Sequence, residues 1–358
     1  YGWGPMQIFR MFRAAKMFRL FALMAVIGSV YVASGTALAV PLESVTVRAD
    51  GEGALEVVCD GVMIDAVNGS ISTPVAPWAA APSVTITGTS SPSTAVDDHH
   101  IDSPGDVHDH ADSSWQPLVD VTVSADLVVD GPVTIDGKMI VIGSSITASS
   151  ITISGTGGVN ISDGASLTST GGPIVINGAN VGTVVSGGAV VDASGGDVEI
   201  SGSFNLIQGD VRSASGRITV LGVDGGFTWL EGSIDSSDMS TKGVGGPVVV
   251  TAGAIFLEST SSITSSGLRG GGNIFVGGSY RGEGDVPTAT SVLVKTGAVI
   301  DASAVTDGDG GDVVIWADDL TSYDGEIVTN GGSDSGNGGD VEVSSKLSLQ
   351  QAGSIDTT

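Results

Sequence analysis

Gly338-Gly339-Asp340-Val341-Glu342-Val343 is one copy of a unit that recurs along the chain. After the glycine pair, Val341 and Val343 share one face of an extended strand while the Glu342 carboxylate points to the other, as a side-chain period of two requires. Earlier copies begin at Gly171, Gly195, Gly245, Gly271 and Gly310, among them Gly195-Gly196-Asp197-Val198-Glu199-Ile200 and Gly310-Gly311-Asp312-Val313-Val314-Ile315. From Gly171 onward the starts are 24, 50, 26, 39 and 28 residues apart. The 50 holds a further strand at Gly216-Arg217-Ile218-Thr219-Val220, and the 39 holds an insertion from Tyr280 to Pro287.

A second unit alternates with the first: Gly188-Ala189-Val190-Val191-Asp192-Ala193-Ser194, Gly232-Ser233-Ile234-Asp235, Gly297-Ala298-Val299-Ile300-Asp301-Ala302-Ser303 and Gly353-Ser354-Ile355-Asp356. The resulting period of 21 to 28 residues matches one coil of a parallel β-helix, in which short strands are joined by tight turns. Glycine pairs are expected to supply positive-φ corners, and Ser, Thr and Asn beside them to bond local backbone. No amphipathic helical pattern follows the leader. The expectation is an all-β chain whose residues 119–358 form about nine coils, a rod on the order of 40 Å at ~4.8 Å per coil. Ile174, Ile200, Val250, Val276, Ile315 and Val343 are predicted to face one continuous core.

Composition narrows the partners. The 358 residues include 55 Gly, 13 Lys+Arg and 40 Asp+Glu, a net charge of −27. Four of the basic residues (Arg10, Arg13, Lys16, Arg19) precede any acid, so the rest is more acidic still. Such a chain is repelled by phosphate backbones and anionic membranes, which argues against nucleic acid. The single cysteine, Cys59, excludes an internal disulfide framework and a Cys-based zinc site, and reads as a small hydrophobe in Leu55-Glu56-Val57-Val58-Cys59.

The basic cluster is followed by an apolar run from Leu20 to Val32 and by Ala37-Leu38-Ala39, the order of a secretory signal peptide over residues 1–39. Met6 is the expected initiator, leaving 1–5 upstream. Residues 40–90 carry short β-like runs, read as a cap or first rungs; 91–118 are rich in Ser, Asp and His and read as a linker or long loop. Since Thr358 falls inside a repeat, the sequence reads as a piece of a longer protein.

The stretch from Gly270 to Pro287, continued by Val299-Ile300-Asp301-Ala302-Ser303-Ala304, Gly308-Asp309-Gly310-Gly311-Asp312 and Gly336-Asn337-Gly338-Gly339-Asp340-Val341-Glu342-Val343-Ser344, resembles the repeat region of filamentous-haemagglutinin-like exoproteins. The resemblance implies a right-handed parallel β-helix. It further implies a secreted or cell-surface, outer-membrane-associated adhesin, a partner outer-membrane transporter, and binding to host-cell, matrix or glycan surfaces or to other cells. No Asn-Pro-Asn-Gly-like secretion signature occurs in residues 40–130. The resemblance brings no catalytic residues.

Two sets of side chains are candidate metal ligands. His99, His100, His108 and His110 are interleaved with aspartates, a donor set suited to zinc, nickel or copper. Asp307, Asp309 and Asp312 lie in a Gly/Asp-rich turn of the kind that stacked coils offer to calcium, although the tandem nonapeptides of calcium-binding repeats are missing. Otherwise no cofactor is indicated. The rival reading is a polysaccharide lyase or glycosidase, which needs converging carboxylates with Arg or Lys. Here Arg48, Lys138, Arg212, Arg217, Lys242, Arg269, Arg281, Lys295 and Lys346 are scattered, and Asp192, Asp235, Asp301 and Asp356 recur at one repeat position, as turn residues do. Trp229 and Trp316, each at a strand end, read either as core or coil-edge packing or as a sugar-stacking surface.

Overall fold

The computed structural model describes residues 120–358 apart from 124 and 125, together with four upstream strands, Val45–Ala49, Leu55–Cys59, Val62–Asp65 and Val84–Thr87. The leader, the Ser/Asp/His segment and the four histidines lie outside the described residues.

The strands stack into a parallel β-helix with three faces. The glycine-pair unit forms the first face, which runs through Ile174–Asn177, Val248–Thr251, Ile274–Val276, Val313–Ala317 and Val341–Ser345. The second unit forms the third face, with Val190–Asp192, Ser233–Asp235, Val299–Asp301 and Ser354–Asp356. Between them lies a second face, including Thr183–Val185, Ala254–Leu257, Ser291–Val294 and Leu320–Tyr323. Four longer strands, Val133–Ile142, Ile151–Ile161, Val198–Ile207 and Ile218–Leu230, run through the first two faces as continuous bent strands.

Ten coils result, because Val84–Thr87 pairs in parallel with Val133–Ile142 and opens the first face upstream of the expected start. On the outer edge of Val84–Thr87, Val45–Ala49 pairs in parallel and Leu55–Cys59 and Val62–Asp65 continue antiparallel. The sheet therefore changes character at this end, from a stack of coils to a local meander.

Alternation places the core. Ile146, Leu167, Val191, Val211, Ile234, Ile263, Ile300 and Ile327 form one inward ladder on the third face, each with no measurable exposure. Ile174, Ile200, Val250, Val276 and Ile315 are equally buried on the first face; Val343, in the tenth coil, is only partly so. Some inward positions of the second face are polar, and each donates a hydrogen bond to a carbonyl of the neighbouring coil, although Asn205 Oδ1 is buried without a partner. Thr183 Oγ1 donates to the Ser201 carbonyl at 2.9 Å, Asn205 Nδ2 to Leu221 at 2.9 Å and Thr321 Oγ1 to Ser344 at 2.7 Å. Unpaired, a buried hydroxyl or amide costs on the order of 1–3 kcal/mol.

The glycine pairs differ from expectation. Gly171 and Gly195 have φ of 147° and 104°, but the later pairs at 245, 271, 310 and 338 do not need positive φ. What they share is closeness. A Cβ on Gly272 would lie 2.2 Å from the carbonyl oxygen of Gly245, and one on Gly311 2.0 Å from that of Gly272. The second glycine also donates its N–H back across the corner, Gly272 to Ser265 at 2.7 Å and Gly311 to Ala302 at 2.7 Å. Gly171 and Gly195 supply the expected positive-φ corners, whereas the second glycine of each pair is required because backbone meets backbone.

Two expected outcomes follow from this packing. Gly272→Ala should lower the urea midpoint by an amount equivalent to ~1–3 kcal/mol of overpacking, whereas Gly187→Ala, with nothing within 4 Å of the added carbon, should not. Equal midpoints for the two would refute the close-approach explanation. The second concerns Tyr323, fully buried, with its hydroxyl donating to the Ser354 carbonyl at 2.6 Å. Burial, with a smaller contribution from the Glu326 carboxylate, pushes its phenol well above the ordinary range. The unfolded chain releases this proton near pH 10 (about the ordinary tyrosine value) while the fold retains it, so the stabilisation is full below that pH and declines above it. In a series of melting midpoints against pH, Tyr323→Phe should flatten the alkaline decline; an unaltered slope would contradict the assignment.

Candidate functional site

From Val190–Asp192 onward every second coil leaves the third face at the repeated aspartate, and the structure gives that carboxylate a local task. Asp192 Oδ1 accepts the Ser194 N–H at 2.7 Å, Asp235 Oδ1 that of Ser237 at 2.9 Å, Asp301 Oδ1 that of Ser303 at 2.9 Å and Asp356 Oδ1 that of Thr358 at 3.3 Å. These are side-chain turns that satisfy the first free N–H beyond the strand. Along the outer row the register reads Asp192, Arg212, Asp235, Thr264, Asp301, Val328, Asp356, so no two carboxylates are immediate neighbours.

The Gly/Asp-rich turn lies at the next corner. Asp307 pairs with Ser335 of the following coil, whose hydroxyl donates to it at 3.3 Å, and faces the Arg269 guanidinium at 3.5 Å. Asp309 Oδ1 accepts both the backbone N–H of Asn337 at 2.7 Å and its side-chain amide at 3.2 Å. Asp312 is exposed, and its N–H donates to Asn273 Oδ1 at 3.3 Å. The Asp307 and Asp309 carboxylates are thus engaged in separate lateral contacts, while Asp312 is tied to the neighbouring coil through its backbone N–H. Among the described residues, no three His, Cys, Asp or Glu side chains are grouped to hold a metal ion.

The outward side of the second face carries the most distinctive surface chemistry. Register aligns Leu206, Trp229, Phe256 and Leu293 at one level. Trp229 stacks on Phe256 with centroids 5.2 Å apart and planes 25° from parallel, and Phe227 lies 6.5 Å from Phe256. This aromatic row is flanked at the next corner by Gln208, Glu231, Glu258 and Lys295. Gln208 donates to Glu231 at 2.9 Å and Lys295 pairs with Glu258 at 2.5 Å. Neither tryptophan belongs to the core. Trp316 faces outward on the first face beneath residues 277–290, between Gly278 and Gly282. Sequence reading located both tryptophans at strand ends but not the Phe256 partner, because no fixed motif marks the second face.

The basic side chains with described contacts are engaged singly: Arg212 with Asp210, Arg269 with Asp307, Lys295 with Glu258, and Arg281 over the Tyr280 ring at 4.9 Å. The two largely exposed ion pairs, Arg212 with Asp210 and Arg269 with Asp307, contribute ~0–1 kcal/mol each.

No protein-family model matches the chain. No curated protein matches it either. Among solved structures, the chain is similar to the crystal structure of the HMW1 secretion domain from Haemophilus influenzae, at 19% identity and a TM-score of 0.53, over 66% of this chain and 78% of that one. The likeness is one of fold.

The role of the recurring carboxylate is directly measurable. Asp301→Ala should cost about 1 kcal/mol, the worth of one hydrogen bond, and lower the melting midpoint accordingly. Asp301→Asn, which retains an acceptor oxygen, should lose much less. Identical losses in both variants would mean that charge, rather than turn capping, is what the position requires.

Proposed function

We propose that the chain is an exported, adhesin-like surface protein whose β-solenoid extends and displays a binding surface, and whose N-terminal part engages an outer-membrane transporter. The observation that carries this reading is the construction of its upstream end. A parallel stack begins at Val84–Thr87 and is continued by the meander of Val45–Ala49, Leu55–Cys59 and Val62–Asp65, in a chain similar in fold to a secretion domain. The basic and apolar leader before Val40 supports export, and the resemblance of the repeats to filamentous haemagglutinins supports adhesion. Among the described residues no helix is long and apolar enough to cross a membrane.

In this reading the protein displays rather than catalyses. Support comes from the engagement of Asp192, Asp235, Asp301 and Asp356 in turns, and of Asp307 and Asp309 in coil-to-coil contacts. Calcium is not required by it. The outward row of the second face supplies flat apolar area for contact with a cell or glycan surface.

Expression in a Gram-negative host with and without a co-expressed partner transporter tests export. The expected result is transporter-dependent recovery of chain beginning at Val40 in the surface or medium fraction; full-length chain retained in the cytoplasm in both cases would refute the proposal. The purified mature chain should bind cells in a chelator as well as in calcium, and release no reducing ends or unsaturated uronates from a polysaccharide panel. Turnover abolished by a single Asp→Ala change would replace display with catalysis.

A further inference from the structure

In a solenoid each coil touches only the coils beside it, so stability propagates between nearest neighbours and an outer coil is free to open alone. All parallel strand pairs of the three faces obey this rule. One connection does not. In the coils on either side, two residues join the first face to the second, as between Thr251 and Ala254 or Ala317 and Leu320. Between Ile274–Val276 and Ser291–Val294 the connection is the whole of residues 277–290.

This insertion folds back across the outer side of the first face and is pinned in both directions. Toward the preceding coil, Gly277 donates to the Val250 carbonyl at 2.8 Å and Thr251 Oγ1 donates to that of Pro287 at 2.7 Å. Toward the following coil, Thr288 Oγ1 donates to Asp318 at 2.8 Å, and the Trp316 ring is gripped by Gly278 and Gly282 so closely that a Cβ on either would lie 2.8 or 2.4 Å from it. One coil further on, the Arg281 N–H donates to Glu342 Oε2 at 2.9 Å, and Ser344 holds the other oxygen of that carboxylate at 2.5 Å. Arg281 reaches this position with φ of 57° and ψ of 18°, a conformation uncommon for a side-chain-bearing residue.

We propose that residues 277–290 are a clamp that couples coils seven to ten into one opening unit, through the Arg281 to Glu342 contact that skips the ninth coil. The clamp adds, on the outside of the first face, a contact two coils long to the nearest-neighbour coupling of the core.

Native-state hydrogen exchange with mass spectrometry on the full chain tests this. In the parent, amides of Ile274–Val276, Val313–Ala317 and Val341–Ser345 should open together, with a common dependence on urea. Two variants remove the clamp, Glu342→Ala and a replacement of residues 277–290 by Ala-Gly, the corner used at residues 252 and 253. In either, protection of Val341–Ser345 should fall about ten-fold or more relative to Ile274–Val276, the loss of about one to two hydrogen bonds, and the urea dependences should separate. Ile300→Val, which removes a core methylene without touching the clamp, should lower protection in all three segments by one factor. The clamp is refuted if Glu342→Ala also lowers all three equally or none of them; should the replacement variant fail to fold, Glu342→Ala decides alone.

Discussion

Backbone meeting backbone at the corner between the third and first faces is the constraint on which the other features depend. The carbonyl of one glycine occupies the space where the next coil's glycine would carry a side chain, as at Gly245 and Gly272 and again at Gly272 and Gly311. The absence of a side chain there permits consecutive coils to approach as closely as the β-ladder spacing of ~4.8 Å requires, so that the strands of all three faces keep hydrogen-bonding distance together. The inward ladder from Ile146 to Ile327 then packs because its register is set from outside. Hydrophobic burial supplies the driving force, the strand hydrogen bonds supply the spacing, and a column without side chains makes that spacing possible at the corner.

Two of the three faces were legible in the sequence because each is introduced by its own turn chemistry. Glycine pairs announce the first face, and the aspartate two residues before Ser194, Ser237 and Ser303 closes the third. The second face has no such punctuation. Its inward positions mix aliphatic residues such as Ile255 and Val292 with polar ones such as Asn205 and Thr321, whose burial is intelligible only once the adjacent carbonyl is in place. The insertion after Val276 was visible as extra length, but its partner Glu342 lies 61 residues downstream and no local pattern points to it.

The candidate surfaces divide along the same line. Carboxylates at repeated positions read correctly as turn residues, since repetition itself signalled a structural task. Asp307 and Asp309 looked like members of one turn cluster in sequence, yet stacking directs each toward a different residue of the next coil, Ser335 and Asn337. The aromatic row is the reverse case, assembled by register from Trp229 and Phe256 that sequence keeps 27 residues apart.

The interruption of the outer carboxylate row by Arg212, Thr264 and Val328 has a bearing on the medium in which the fold is stable. With a neutral or basic residue between them, successive row carboxylates stand two coils apart, about 10 Å at the usual strand spacing. That exceeds the screening length of ~8 Å at physiological ionic strength but falls well inside the ~30 Å that applies in dilute, nearly salt-free water. Along this row the carboxylates are largely screened from one another in saline, whereas in dilute, nearly salt-free water the same aspartates that close the turns feel one another along the stack.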